Sequence, residues 1–183
     1  MNANGPWKIK SSKEAYKNPW IRVREDQVIR PDGQDGIFAV VEMVPGVSVL
    51  PLDDEGFVYL TSEFRFAVAM DSIEVVSGAI DEHESEIDAA KRELLEETGL
   101  TADEWIDLGK INPFTSVVHS PARMYVARHV HLSESNPEGT EKIQILKIKF
   151  EEALRMVMAS EITHGPSSVL ILKAAEYLRP KHS

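Results

Sequence analysis

Residues Gly78 to Leu100 read GAIDEHESEIDAAKRELLEETGL, and this stretch decides how the rest of the chain is interpreted. Ten acidic and only two basic residues stand between positions 81 and 104. Ser85, followed three residues later by Asp88, is typical of a helix N-terminus. Gly99 stands where a left-handed residue would end that helix. The stretch therefore predicts a helix over 85–98 that carries many carboxylates.

Helix geometry gathers these carboxylates on one flank. With about 100° per residue, Glu97 lies about 40° to one side of Glu93 and Glu96 about 60° to the other. Leu94 and Ile87 lie roughly 100–120° away from Glu93, on the side that we expect to face the core.

Crowded carboxylates disfavour a helix unless something compensates their charge. We expect Arg92 to offset part of the repulsion through Asp88 and Glu96, each four residues away. A divalent cation would relieve the rest, and hard oxygen ligands suit Mg²⁺, with Mn²⁺ as a possible substitute. The stretch therefore predicts a metal site that can also hold phosphate oxygens.

Composition narrows the classes of protein that fit. A chain of 183 residues is expected to form one domain, and a net charge of −10 argues against unspecific nucleic-acid binding. The absence of cysteine excludes disulfides and thiolate zinc sites. It also fits the expectation of a cytoplasmic protein. The start lacks a secretory signal, and no apolar run approaches the roughly 20 residues that span a membrane.

The remaining chain predicts a mixed α/β protein without a regular βαβ rhythm. Residues 1–18 are polar and are expected to be irregular, whereas 20–44 read as a β-hairpin around the turn cluster at 31–36. Further strands are predicted at 47–52, 57–66, 72–76, 106–111, 123–131 and 143–150, loops at 112–122 and 133–141, and helices at 151–159 and 167–178.

The spacing of the opening stretch resembles a known family signature. The pattern G-x5-E-x7-R-E-U-x-E-E-x-G-U, with U aliphatic, is that of the Nudix hydrolases, and every position matches. The matching residues are Gly78, Glu84, Arg92, Glu93, Leu94, Glu96, Glu97, Gly99 and Leu100. The resemblance implies an α/β (α+β) fold, the Nudix α/β/α sandwich with a mixed central sheet and an N-terminal β-hairpin extension. It divides the chain into an arm and hairpin at 1–44 and a hydrolase domain at 45–183.

The same resemblance implies the reaction and the roles of the motif residues. The reaction is hydrolysis of a nucleoside diphosphate linked to another group. Glu93 and Glu97 would be the chief metal ligands, with Glu96 and the backbone carbonyl of Ser77 assisting. Arg92 would orient the glutamates, and Glu84 would brace the loop before the helix.

Two segments upstream of the motif point to a subfamily. Residues 62–65 and 73–78 resemble the "QYR" and "ELPAG" segments of ADP-ribose and nucleoside diphosphate sugar pyrophosphatases. The likeness implies that Arg65 holds phosphate and that Glu74 contacts the substrate. It also implies a homodimer in which the N-terminal segment crosses to the partner and completes the partner's substrate pocket. Trp20 is a candidate stacking or interface residue, although residue type alone favours burial of Trp20 in the core.

Other features leave the substrate and the general base open. Residues 75–77 replace the usual Leu-Pro-Ala, and the loop 115–121 lacks Ser-Pro-Gly, so a broader nucleoside diphosphate sugar hydrolase fits better than strict ADP-ribose specificity. Dinucleoside polyphosphates, nucleoside triphosphates and a non-catalytic nucleotide-sensing role are the alternatives. The resemblance implies a base from a late acidic loop, and the candidates there are Glu134, Glu138 and Glu141. Glu141 could also bind a metal, which makes Glu138 the better candidate for the base.

Two histidines are weaker candidates. His119 lies in a predicted loop and could donate to phosphate or act as a base. His164 begins the sequence His-Gly-Pro, which is typical of a turn between helices.

Overall fold

The computed structural model describes residues 2–133 and 143–179. In chain order its strands are β1 Asn2–Asn4, β2 Trp7–Lys17, β3 Ile21–Ile29, β4 Asp35–Met43, β5 Gly46–Leu52, β6 Phe57–Arg65, β7 Met70–Glu74, β8 Val76–Ala79, β9 Leu100–Ile111, β10 Val118–His119, β11 Ala122–Leu132 and β12 Gln144–Lys149. Its helices are α1 Glu86–Thr98, α2 Phe150–Met158 and α3 Gly165–Leu178. The backbone forms two compact units, Met1–Pro45 with Asn112–Pro121, and Gly46–Ile111 with Ala122–Ser183.

The first unit is a five-stranded sheet in the order β1-β2-β3-β4-β10. Strands β3 and β4 form the predicted hairpin, in register from Ile21 opposite Met43 to Ile29 opposite Asp35. The short strand β10 pairs with β4 in parallel, inside a segment that we expected to be a loop.

The expectation that residues 1–18 are irregular is wrong, because residues 2–4 form β1 and residues 7–17 form β2. Strand β2 pairs along its length with β3, and Trp7 packs edge-on against Phe38 with ring centroids 5.5 Å apart. Most β2 side chains are exposed, so backbone pairing holds this strand in place and its polar sequence gives little hydrophobic signal.

The second unit is a mixed sheet in the order β12-β6-β5-β11-β9, with β7 paired to β6 and β8 paired to β5. Strands β5 and β11 are parallel, whereas β9 and β11 are antiparallel, from Leu100 opposite Leu132 to Ile111 opposite Ala122. This pairing extends β9 six residues before the predicted start at 106.

Two apolar clusters lie on opposite faces of this sheet. Val47 and Val49 of β5 pack with Leu94 and its neighbours on α1, whereas Leu50 of β5 packs with Leu170 and its neighbours on α3. Because side chains alternate along a strand, α1 covers one face and the two later helices cover the other. This confirms the α/β/α sandwich with a mixed sheet. Among the described residues, no helix is both long and apolar enough to cross a membrane.

Candidate active site

Helix α1 begins and ends where its capping residues predict. The Ser85 hydroxyl oxygen accepts a hydrogen bond from the Asp88 backbone N–H at 3.2 Å, and the Ser85 hydroxyl donates to the Asp88 carboxylate at 2.6 Å. Gly99 ends the helix in the left-handed region with φ 69°, and its N–H donates to the Leu95 carbonyl at 2.8 Å. Leu94 is fully buried, so the glutamates beside it lie along the edge of the helix next to the core.

Arg92 is the centre of the motif. Its Nε and Nη2 donate to the two carboxylate oxygens of Glu84 at 3.0 and 2.9 Å. Its Nη1 donates to Glu93 at 2.7 Å and to Glu96 at 3.1 Å, and Nη2 also donates to the Ala79 carbonyl at 2.9 Å. This planar fork of five donors holds two helix carboxylates and the loop before the helix in one arrangement.

The expected pair between Arg92 and Asp88 is wrong, whereas the pair with Glu96 forms. The Asp88 carboxylate is used by Ser85 at the helix cap, where an acid also interacts favourably with the positive end of the helix dipole. Arg92 is therefore directed away from Asp88 and toward Glu84.

Glu84 braces the loop that precedes the helix. In addition to the fork from Arg92, its carboxylate accepts a hydrogen bond from the Asp81 N–H at 3.1 Å. The hydrogen bonds from Arg92 lower the pKa of Glu84 below its ordinary range, so this carboxylate stays ionised beside the guanidinium.

Glu93 lies directly over Gly78. A β-carbon added at Gly78 would stand 1.9 Å from the Glu93 carboxyl carbon, a distance that atoms cannot adopt. Gly78 itself is held in the sheet, opposite Val47 of β5. Burial raises the pKa of Glu93, and the hydrogen bond from Arg92 opposes that shift. The glycine thus provides the space in which a largely buried carboxylate points at the β8 backbone.

The carboxylates around Arg92 fit a divalent metal by their chemistry. Glu93 and Glu96 share one nitrogen of Arg92, and Glu97 is one helical turn after Glu93. Across residues 2–133 and 143–179, no three histidine, aspartate or glutamate side chains converge as a complete metal site. A metal here would therefore take other ligands from water, backbone carbonyls or phosphate, as Mg²⁺ commonly does.

Ser77 is on β8 opposite Ser48, and its hydroxyl donates to the Val75 carbonyl at 3.1 Å. The base candidates Glu134, Glu138 and Glu141 lie outside the described residues, so their predicted roles stay predictions.

Arg65 and Glu74 form a bidentate ion pair between neighbouring strands. Arg65 Nε donates to Glu74 Oε1 at 3.1 Å and Nη2 donates to Oε2 at 2.8 Å, while Nη1 lies 2.8 Å from the Glu63 carboxylate. Glu74 is only 5% exposed. Burial alone would raise the pKa of Glu74, but the hydrogen bonds and charge of Arg65, the charge of His164 and a hydrogen bond from Ser72 together lower it below its ordinary value. The charge of Glu97 acts on Arg65, which places this pair within electrostatic reach of the motif helix.

His164 lies in the predicted connection between two helices, and the structure also brings it to Glu74. His164 is the N-cap residue of α3, and its Nδ1 lies 3.5 Å from Glu74 Oε2 and 2.8 Å from the hydroxyl of Ser167. Ser167 was not singled out from the sequence. Its hydroxyl oxygen accepts a hydrogen bond from the Val75 N–H at 2.9 Å. The available signal was a histidine at a helix start, where serine, threonine, aspartate or asparagine is preferred.

Two other candidates lie in the first unit. Trp20 is 73% exposed, so the expectation that it is buried in the core is wrong. Its backbone N–H donates to the Asn18 side chain at 2.9 Å, which holds the turn between β2 and β3. His119 is an exposed residue of β10.

Comparison with known proteins agrees with this geometry. Residues 43–167 match the family model described as the NUDIX domain, and residues 7–41 match the model described as the nucleoside diphosphate sugar hydrolase N-terminal domain. The chain is 25% identical over 181 residues to an ADP-ribose pyrophosphatase of Bacillus subtilis, covering 94% of this chain and 92% of the relative. It is 27% identical over 134 residues to a GDP-mannose pyrophosphatase of Escherichia coli, covering 68% of each.

A solved structure shows the same fold over nearly the whole chain. The structure described as that of an ADP compounds hydrolase superposes with a TM-score of 0.83 at 16% identity, covering 98% of this chain and 97% of the other. The Nudix model spans more than half of the chain and includes the entire Arg92-centred motif. The chain therefore belongs to the Nudix family and is a Nudix pyrophosphohydrolase.

Proposed function

We propose that this enzyme hydrolyses the pyrophosphate bond of nucleoside diphosphate sugars such as ADP-ribose, with Mg²⁺, giving a nucleoside monophosphate and a sugar phosphate. The observation that carries the proposal is the match of residues 7–41 to the nucleoside diphosphate sugar hydrolase N-terminal domain, directly before the Nudix domain. The relatives named for ADP-ribose and for GDP-mannose support the same substrate class with different bases and sugars.

The metal would be held by Glu93, Glu96 and Glu97 of α1, together with the Ser77 carbonyl and Glu141. A bound divalent ion neutralises charge that develops on phosphate oxygens and lowers the pKa of an attacking water. Nudix hydrolases generally use a divalent metal, and the all-oxygen donor set supports Mg²⁺, with Mn²⁺ as a substitute.

The chain's own side chains would arrange the reaction. Arg92 fixes the directions of Glu93 and Glu96 through its fork. Glu138 or Glu141 would take the proton of the attacking water. The site would therefore hold its charges in fixed positions, where they can stabilise the charge that develops during hydrolysis of a pyrophosphate bond.

Arg65 would bind a substrate phosphate and Glu74 would contact the substrate beside it. Because Nε and Nη2 of Arg65 are both used by Glu74, the phosphate would compete with Glu63 for Nη1. The Glu63 side chain is 34% exposed and can move into solvent, whereas the Glu74 side chain is 7% exposed and cannot.

We also propose a homodimer that is formed through the N-terminal segment. The first unit exposes several large apolar side chains, namely Tyr16, Trp20, Ile37, Met43, Val44, Phe114 and Val117. Exposed large apolar side chains on this unit support an interaction face. A cytoplasmic location remains a prediction from the absence of cysteine.

A substrate panel with product analysis tests the proposed activity. The panel contains ADP-ribose, GDP-mannose, a dinucleoside polyphosphate and a nucleoside triphosphate, each with and without Mg²⁺. We expect Mg²⁺-dependent conversion of the two nucleotide sugars to a nucleoside monophosphate and a sugar phosphate. Turnover of only the dinucleoside polyphosphate or the triphosphate would contradict the proposal.

A paired variant tests the metal assignment. Glu97→Gln should lower kcat by orders of magnitude without changing the circular dichroism spectrum, since it removes a charge but little volume. Glu151→Gln, at an exposed position in the first turn of α2, is the matched control and should keep full activity.

A further inference from the structure

The N-terminus of α3 makes two separate connections to the segment that joins the substrate residue Glu74 to the motif glycine. One connection is made by Ser167 to the backbone at Val75, and the other is made by His164 to the Glu74 side chain. Both come from a single helical turn that lies about ninety residues later in the chain. Nothing in the Nudix motif itself requires them.

Ser167 satisfies a backbone donor that the sheet leaves over. Val75 lies between the end of β7 and the start of β8, and its N–H is not part of either strand ladder. Ser167 is fully buried, and its hydroxyl oxygen accepts this N–H at 2.9 Å. A buried N–H without an acceptor is costly, so Ser167 fixes where the chain turns from Glu74 toward Ser77 and Gly78.

His164 is an unusual choice for its position in the helix. It is the N-cap residue, yet its ring makes no capping hydrogen bond to the backbone. The ring instead shares a 2.8 Å hydrogen bond with the Ser167 hydroxyl and lies 3.5 Å from Glu74 Oε2. Helix capping therefore does not explain this histidine, whereas support of the Glu74 carboxylate does.

Arg65 and His164 both act on the Glu74 carboxylate. Arg65 holds Glu74 by two hydrogen bonds from β6, and His164 approaches the same Oε2 from α3. The Glu74 backbone carbonyl accepts a hydrogen bond from the buried Thr61 hydroxyl at 3.4 Å. The side chain and the backbone of Glu74 are thus both held in place. The contact from His164 at the start of α3 is the one that comes from outside the sheet.

We propose that His164 and Ser167 are positioning residues, which hold Glu74 and residues 75–78 in the arrangement that substrate binding requires. The proposal rests on the proposed role of Glu74 in binding a nucleotide sugar. The N-terminal turn of α3 would then support the active site by positioning Glu74, without taking part in the reaction itself.

Kinetic variants test the link between His164 and Glu74. His164→Ala should raise KM for the nucleotide sugar about tenfold with a smaller change in kcat, which is the size expected when a supporting partner of a site residue is lost. His164→Asn should restore most of the KM, because asparagine places an amide near the position of Nδ1 and is also a preferred N-cap. In a Glu74→Gln background, His164→Ala should change KM less than about twofold, because the residue through which it acts has already been altered.

The neighbouring serine provides a matched control for Ser167. The Ser168 hydroxyl donates to the carbonyls of Ile162 and His164 within the same helical turn and does not contact the Glu74 segment. Ser167→Ala should raise KM, whereas Ser168→Ala should leave KM unchanged even if it lowers the melting temperature. Equal effects of the two alanine variants on KM would overturn the proposal.

Nuclear magnetic resonance separates this proposal from the substrate assignment. In ¹⁵N-labelled full-length protein, Ser167→Ala should speed hydrogen exchange of the Val75 amide and shift the amides of Ser77 and Gly78, and Ser168→Ala should not. His164→Ala should shift the Arg65 Nε–H resonance, since that group donates to Glu74. If no nucleotide sugar is hydrolysed, the proposed function is wrong. The positioning roles of His164 and Ser167 are then tested by these resonances and by KM for whichever pyrophosphate substrate is hydrolysed. Unchanged resonances in both alanine variants would reject them.

Discussion

The carboxylate of Glu93 occupies the space that a side chain at Gly78 would need. A β-carbon there would stand 1.9 Å from the carboxyl carbon and also 1.9 Å from Oε1 of Glu93. Gly78 is not among the glycines with positive φ, so its backbone conformation is open to other residues. The requirement for glycine therefore comes from the glutamate above it and not from the backbone.

This relationship predicts the effect of Gly78→Ala. The obstacle is the end of a flexible side chain, so the fold should persist while Glu93 turns away from β8. A misplacement of about 1 Å at a reacting centre can cost about 100-fold in rate, and we expect a loss of that order in kcat/KM. Gly165→Ala is the control, because a β-carbon at Gly165 meets open space. Full activity of Gly78→Ala would show that the position of Glu93 does not matter for the reaction.

Arg92→Lys tests the fork that joins helix and loop. Lysine keeps the charge but cannot bind Glu84 and Glu93 at once with a rigid planar group. We expect kcat/KM to fall about 10–100-fold and the Mg²⁺ concentration that gives half-maximal activity to increase. Arg155→Lys is the matched control, since Arg155 bridges Glu152 and Glu161 with a similar fork at the exposed end of α2. Equal activities of the two variants would mean that the Arg92 geometry has no role in catalysis.

Local signals in the sequence were sufficient for the motif helix. Ser85 and Gly99 are capping residues whose effect depends on neighbours three or four positions away, and the structure uses both as expected. The apolar stripe at Leu94 is equally local, because helix period alone places it on the core side. The sandwich architecture followed from the family signature that these residues carry.

Contacts between segments far apart in the sequence could not be predicted from such local patterns. Val75 and Ser167 are 92 positions apart, and only the packing of α3 against the sheet brings them together. Arg92 prefers Glu84 to Asp88 because the loop folds back over the helix, which no helical spacing predicts. Strand β2 was missed since its exposed residues show little apolar alternation.

The ion pair between Arg65 and Glu74 predicts a dependence of stability on pH. The pKa of Glu74 in the folded protein lies below its ordinary value of 4.5, because Arg65, His164 and Ser72 together outweigh the effect of burial. A carboxyl group whose pKa is lowered by folding stabilises the folded protein at pH values above its pKa in the unfolded chain. This stabilisation is lost as the pH falls through the pKa in the folded protein. In urea titrations, the difference in free energy of unfolding between wild type and Glu74→Gln should therefore shrink as the pH falls below the ordinary value of 4.5 and through the lower pKa of Glu74 in the folded protein. A difference that stays constant over this range would contradict the assignment.

Trp20→Ala tests the proposed dimer face of the first unit. Because the side chain is 73% exposed, its removal should change the free energy of unfolding of the isolated chain by less than about 0.5 kcal/mol. A tryptophan at the centre of an interface commonly contributes 2 kcal/mol or more, so the dimer dissociation constant should rise by more than about tenfold. Sedimentation velocity over a concentration series measures this constant. Tyr177→Ala on α3, where the aromatic ring is 56% exposed, is the control and should leave the dimer unchanged. Dissociation constants that are the same for both variants would remove Trp20 from the interface and leave it as a candidate for stacking on the substrate base.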